Sequence, residues 1–216
     1  MIIKKSLAGA VVLIGVCMLF SFPAPGVAAP ELVSLYSGLR FVGEVSSRDD
    51  QYLILEKDKV KYQIALSEIV STEPFSGTAD EVAAAETGQE WSQIAEVMYN
   101  YFLHRYDEDP QAALSSVSRS FFNETMTPGE SVDYQGLERF LKKRSLKMQG
   151  QLEGSLVISS VLIESNLLSV TISFKEDFLN LKTHTRSIEQ REKIVVLSQE
   201  GRGWKIVNIL APSARQ

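Results

Sequence analysis

The sequence predicts an α+β fold in two parts, an N-terminal small β-barrel followed by helices and then a long antiparallel sheet. Two changes of pattern along the chain carry this. Residues 30–75 hold short alternating apolar runs split by polar turns. Residues 90–211 open on three-and-four helical spacing and close on four long alternating stretches. A third observation bounds the problem: residues 6–30 contain no charge at all.

That uncharged stretch belongs to a leader covering residues 1–29. Met1 to Lys5 is a short basic start, Leu7 to Phe22 an apolar run, and Val27-Ala28-Ala29 a small-residue cleavage site before Pro30, the order of a secretory signal. If kept, the same run would serve as an anchor, since a spanning helix needs about 20 apolar residues. Pro23 and Pro25 interrupt it early. The protein is therefore expected to be exported, periplasmic or extracellular, with a membrane as partner only if the leader stays uncleaved. Cys17 lies inside the leader, so the rest has no disulfide, no thiolate metal site and no cysteine nucleophile. The whole chain of 216 residues has net charge −5, and losing Lys4 and Lys5 makes the remainder more acidic. That charge argues against nucleic acid as a partner.

In the first mature segment Leu39, Phe41, Gly43 and Val45 share a face, Arg48 to Asp50 turn, and Tyr52 to Leu55 form a second strand. Glu56 to Lys59 turn into a third strand, Val60 to Ile64. Ser67 to Val70 make a brief helical turn before a last strand. Strongly bent strands in so short a segment suggest barrel closure, which removes sheet edges. The run Gly38 to Glu73 resembles a small Src-homology-3-like or Sm-like barrel, which implies a structural or protein-contact module. Residues 76–89, behind Pro74 and Phe75, lose periodicity and read as a linker with a short helix at Asp80 to Glu86.

From residue 90, Trp91, Ile94, Ala95, Met98, Tyr101 and Phe102 follow helical spacing up to Asp107 to Pro110. Pro110 opens a second helix running to Phe121, with Asp109 as cap. After a turn at Thr127 to Gly129, Asp133 or Ser131 caps a third helix presenting Leu137, Phe140, Leu141 and Leu146. Strands then cover Leu152 to Ile163, Leu167 to Phe178, His184 to Ser198 and Arg202 to Leu210, before a tail at 212–216. Leu168, Val170, Ile172 and Phe174 form the face that meets the helices.

Three motifs in residues 90–211 carry a resemblance. They are Asp109-Pro110-x-Ala112-Ala113-Leu114 followed by Phe121-Phe122; Asp133-Tyr134-x-x-Leu137-x-x-Phe140-Leu141-x-x-Arg144; and the closing Gly201 to Ile209 hairpin. Together they resemble the nuclear transport factor 2-like superfamily, of cystatin-like cone shape, which includes ketosteroid isomerase and the SnoaL-like cyclases. The resemblance implies a curved sheet wrapped round the helices, often with an internal pocket and often dimeric. Enzymes of this kind keep a catalytic aspartate inside the cone. Here the inward positions are read as Leu168, Val170, Ile172, Phe174, Val196, Trp204 and Ile206, which offer no general base. No catalytic residue, metal or cofactor is assigned.

The candidate pocket residues are Tyr101, His104, Tyr134, Arg144, His184 and Arg186. Register carried back from Ile194 and Val196 would put His184, Arg186, Ile188, Gln190 and Glu192 inside. An overhanging strand end or a bulge would leave them in solvent. Lys142, Lys143, Arg144 and Lys147 complement the third helix's dipole and equally suit an anion. Tyr99, Tyr101 and Tyr106 read as core or pocket wall, and Asn123-Glu124-Thr125 as a glycosylation acceptor. Three functions follow. They are a non-catalytic envelope protein binding a small apolar or anionic ligand or a protein partner, an isomerase or dehydratase, and a structural assembly factor. The apolar lining favours the first and the third over the second.

Overall fold

The computed structural model describes residues 29–78, 81–82, 88–127, 130–201 and 203–212. The leader, most of the expected helix at 80–86, and Pro128-Gly129 of the expected turn lie outside the described residues.

The alternating runs of the first segment form β2 (Arg40–Arg48), β3 (Tyr52–Lys57) and β4 (Val60–Ala65), then a 3₁₀ turn (Leu66–Glu68) and β5 (Ile69–Pro74). They are preceded by β1 (Glu31–Leu35), too short to show in the pattern. β1 pairs with both β2 and β5, and β2, β3 and β4 form a meander. β4 also carries the sheet onward. It pairs in parallel with a strand of the second part, Lys61 opposite Ser160 through Ile64 opposite Ile163, while β5 stays at the outer edge. That pairing covers the β4 edge.

Helix α1 (Gly88–His104) buries Ile94, Met98, Tyr101 and Phe102, the face its spacing predicts. Tyr99 is on the wetter side and is 41% exposed, so it is neither core nor pocket wall. α2 (Gln111–Leu114) is one turn long, not a helix to Phe121. Ser115, Ser116 and Ser118 end it, because serine hydroxyls compete for backbone groups. The Ser115 hydroxyl donates to the Ala112 carbonyl at 2.6 Å. The chain then attaches to the last strand: Ser118 N–H donates to the Ile206 carbonyl and Ile206 N–H to the Ser116 carbonyl, both at 2.9 Å. A hairpin of β6 (Phe122–Thr127) and β7 (Glu130–Asp133) follows. It buries the Asn123 side chain, which donates to Asn208 Oδ1 at 2.8 Å, so this asparagine is closed to glycosylation in the folded chain.

α3 (Tyr134–Ser145) is capped by Asp133, whose Oδ1 accepts from Gly136 N–H at 2.7 Å. It buries Leu137 and Leu141. Leu146, read as core, lies past the helix end and is 80% exposed. The strands β8 (Met148–Glu164), β9 (Leu167–Asn180), β10 (Thr185–Glu200) and β11 (Gly203–Leu210) complete one curved nine-stranded sheet of order β11-β10-β9-β8-β4-β3-β2-β1-β5.

One continuous core joins both parts. Leu168, Val170, Ile172 and Phe174 of β9 face α1, and Leu53, Leu55 and Ile64 extend the same cluster. Trp91 of α1 sits 6.2 Å from the rings of both Phe41 and Tyr62. Among the described residues no helix is long and apolar enough to cross a membrane.

Candidate functional site

The period-two rule does not stop at Phe174: the next inward residue of β9 is Glu176, 2% exposed. A carboxylate therefore lies buried on the face that meets the helices, where the sequence reading expected none. A buried charge needs partners, and Glu176 has two. Arg105, just past α1, donates from Nη2 to Glu176 Oε1, and Arg191 of β10 places Nε 3.5 Å from Oε2. The flat Arg105 guanidinium lies 4.6 Å from the Phe102 ring centre and 5.0 Å from that of Phe174. Those two rings, 4.7 Å apart, fill the cone at this level.

β10 contributes through the phase opposite to the one read from sequence. Ser187, Glu189, Arg191, Lys193, Val195 and Leu197 form its more buried face, while His184, Arg186, Ile188, Gln190 and Glu192 are exposed. Ile194 to Leu197 are four apolar residues in a row, so alternation there gives no phase, and a bulge at Val196/Leu197 resets pairing with β11. Arg191 Nη2 is 2.5 Å from Glu189 Oε2. Arg144 of α3 donates from Nη2 to the Tyr106 hydroxyl and lies 4.3 Å over that ring. Gly150 of β8 leaves room for the ring, since a Cβ there would come within 2.9 Å of it.

The cluster has four cations, Arg105, Arg144, Arg191 and Lys193, against Glu176 and Glu189. Nε of Arg105, of Arg144 and of Arg191 lacks a hydrogen-bond partner. Burial, then the nearby Arg144 charge, pulls Arg105 down to about 10 against the pull of Tyr106 and Tyr101, and Arg191 adds to the lowering. Burial also lowers Lys193, followed by the charges of Arg105, Arg191 and Arg144. Burial raises the Tyr101 hydroxyl, opposed by Arg105 and Arg144. These shifts describe an electropositive, partly desolvated interior.

Arg144 also reaches outward. It lines a cleft of about 720 Å³ between one flank of α3 and the start of β8. The lining includes Val132, Gly136, Phe140 and Met148, with Arg139, Lys143 and Lys147 beside Arg144. Gly136, Phe140 and Lys143, with Arg139 beside them, recur at helical spacing on one side of α3, and Lys147 follows just past its end. Among the described lining residues there is no carboxylate and no imidazole.

Of the six residues singled out by sequence, the structure brings Tyr101 and Arg144 together. Tyr134 is buried at the start of α3 under the Arg119 guanidinium, 4.1 Å from its ring centre. His104 is at the surface, with Nδ1 2.8 Å from Asp107 Oδ2. His184 sits in the β9–β10 turn with φ +56°. Arg186 grips Asp177 on the outer face of the sheet, Nε to Oδ1 at 2.8 Å. Neither His184 nor Arg186 faces the cone. Arg105, Glu176, Arg191 and Lys193 were missed; continuing the β9 alternation by one step would have found Glu176.

No protein-family model and no curated protein matches the chain. It is similar to several solved structures. One is a nuclear transport factor 2-like superfamily protein of Salmonella enterica, at 13% identity and TM-score 0.46, covering 60% of this chain and 96% of that one. A scytalone dehydratase-like protein of Novosphingobium aromaticivorans has 11% identity and TM-score 0.47, covering 59% and 95%. A ketosteroid isomerase-like protein of Erwinia carotovora has 13% identity and TM-score 0.42, covering 56% and 93%. These neighbours include the superfamily that residues 90–211 resemble, and at such identities the likeness is one of fold alone.

Proposed function

We propose that this is an exported, non-catalytic binding protein that holds a small organic anion in the α3 cleft. One observation carries the reading: the cleft joins an apolar surface, Phe140 and Met148, to four cations, and among its described lining residues there is no carboxylate or imidazole to act as a base. The isomerase or dehydratase alternative needs a free base in the interior; Glu176, buried there, has a guanidinium against each oxygen, and Glu189 is paired with Arg191. Export rests on the order of charge, apolar run and small residues in 1–29.

Calorimetry with an aromatic sulfonate as probe tests the site. Saturable binding is expected, and it should weaken roughly tenfold in Arg139→Ala/Lys143→Ala, given about 1.5–3 kcal/mol for a hydrogen bond to a charged group and partial compensation by Lys147. Mass spectrometry should recover the probe unchanged and show the native chain beginning at or near Pro30. Absent saturation, unaffected variants or a converted probe would overturn binding without turnover. Intact Met1 in a membrane fraction would overturn release from the leader.

A further inference from the structure

α3 ends at Ser145 in a run of exposed cations, Lys142, Lys143 and Lys147, and between them Leu146 projects into solvent, 80% exposed. A second turn is fastened to this one: Leu181 N–H donates to the Lys147 carbonyl at 2.9 Å. That bond brings the β9–β10 turn alongside, with exposed Lys182 and His184. Three acids of the neighbouring elements hold basic side chains, one of them Lys142 of the tip itself. Glu138 Oε1 holds Lys142 Nζ at 2.8 Å, Asp107 holds His104, and Asp177 holds Arg186. Asp109 acts on Lys142 from a distance.

The rest of the molecule is acidic, since the chain as a whole has net charge −5. A net-acidic body with one basic tip is oriented by an anionic surface and repelled by it in every other attitude. A leucine at the centre of such a tip is left largely exposed to solvent. Lysines around an exposed aliphatic side chain suit the interface of a lipid bilayer, where the aliphatic group enters the acyl boundary and the long stems keep their ammonium groups among the headgroups.

We propose that this tip, the α3–β8 turn with the β9–β10 turn, docks the protein peripherally on an anionic phospholipid surface. The anchor is thus independent of the leader. The tip shares Lys143 and Lys147 with the cleft, but Leu146 and Lys182 lie outside its lining, so the two readings can fail separately.

Flotation of the chain beginning at Pro30 with vesicles provides the test. It should bind vesicles of equal phosphatidylcholine and phosphatidylglycerol, leave pure phosphatidylcholine vesicles unbound, and come off as salt is raised. Each basic residue near the surface contributes about 1 kcal/mol, so Lys147→Glu/Lys182→Glu should lower partitioning at least about 25-fold. Leu146→Glu should lower it about tenfold or more, with Leu146→Gln intermediate, as expected for losing a buried leucine of roughly 1.5–3 kcal/mol. Circular dichroism should show every variant folded, as exposed positions permit, and Leu146→Glu should keep the cleft's affinity for the sulfonate probe. Equal binding to neutral and anionic vesicles, no binding, or variants that float like the parent would overturn the proposal. So would release by free glycerophosphate, which would point to headgroup recognition in the cleft.

Discussion

Removing the Glu176 carboxylate should be among the costliest single changes in this protein. The Arg105 and Glu176 side chains are only 7% and 3% exposed. In Glu176→Leu the guanidinium loses its Oε1 acceptor and is left facing the charges of Arg144 and Arg191, which already act on it. Breaking a buried ion pair from one side costs about 3–5 kcal/mol, a large share of the roughly 5–15 kcal/mol that holds a domain together. Arg105→Met/Glu176→Leu removes both charges and keeps apolar contact with Phe102 and Phe174. Such replacements are often near neutral, so the double variant should recover most of the loss. Guanidinium denaturation of the parent, Glu176→Leu, Arg105→Met and the double variant, followed through Trp91 and Trp204, gives the four stabilities and the coupling between the sites. The reasoning is refuted if Glu176→Leu costs less than about 1 kcal/mol, or if the double variant is as unstable as the two singles added together.

Two further outcomes follow from the sheet. The Arg186 hydrogen bonds hold the Asp177 carboxyl below its ordinary 3.8. The depressed acid makes their contribution complete above that value and lost as pH falls through the lower folded one. Arg186→Ala should therefore be less stable than the parent at neutral pH, converge with it in strong acid, and bind the sulfonate probe unchanged; an unchanged acid limb would show that the pair contributes nothing. A fragment of residues 88–216 loses the parallel partner of β8 and the two rings against Trp91. It should elute as aggregates in size-exclusion chromatography, and a monodisperse fragment with the parent's melting temperature would mean that the N-terminal strands are dispensable to the core.

What the sequence determined by itself is local. Helical spacing picked the buried face of α1, Asp133 announced α3 through its capping oxygen, and alternation named Leu168, Val170, Ile172 and Phe174, because each signal is complete within a few residues. Only the tertiary structure decided the rest. A parallel ladder between residues about a hundred positions apart leaves no mark in either strand, so β4 on β8 could not be read. The apolar run Ile194 to Leu197 satisfies both faces of β10, so packing alone chose which face carried Glu189, Arg191 and Lys193 inward. α2 stopped at Leu114 because the backbone of Ser116 and Ser118 found partners on Ile206, a competitor invisible in one dimension. The ionic cluster joins residues from α1, α3, β9 and β10. All but Glu176, which the β9 alternation places inward, read alone as ordinary surface charges, and only their convergence in a partly desolvated space gives them electrostatic weight.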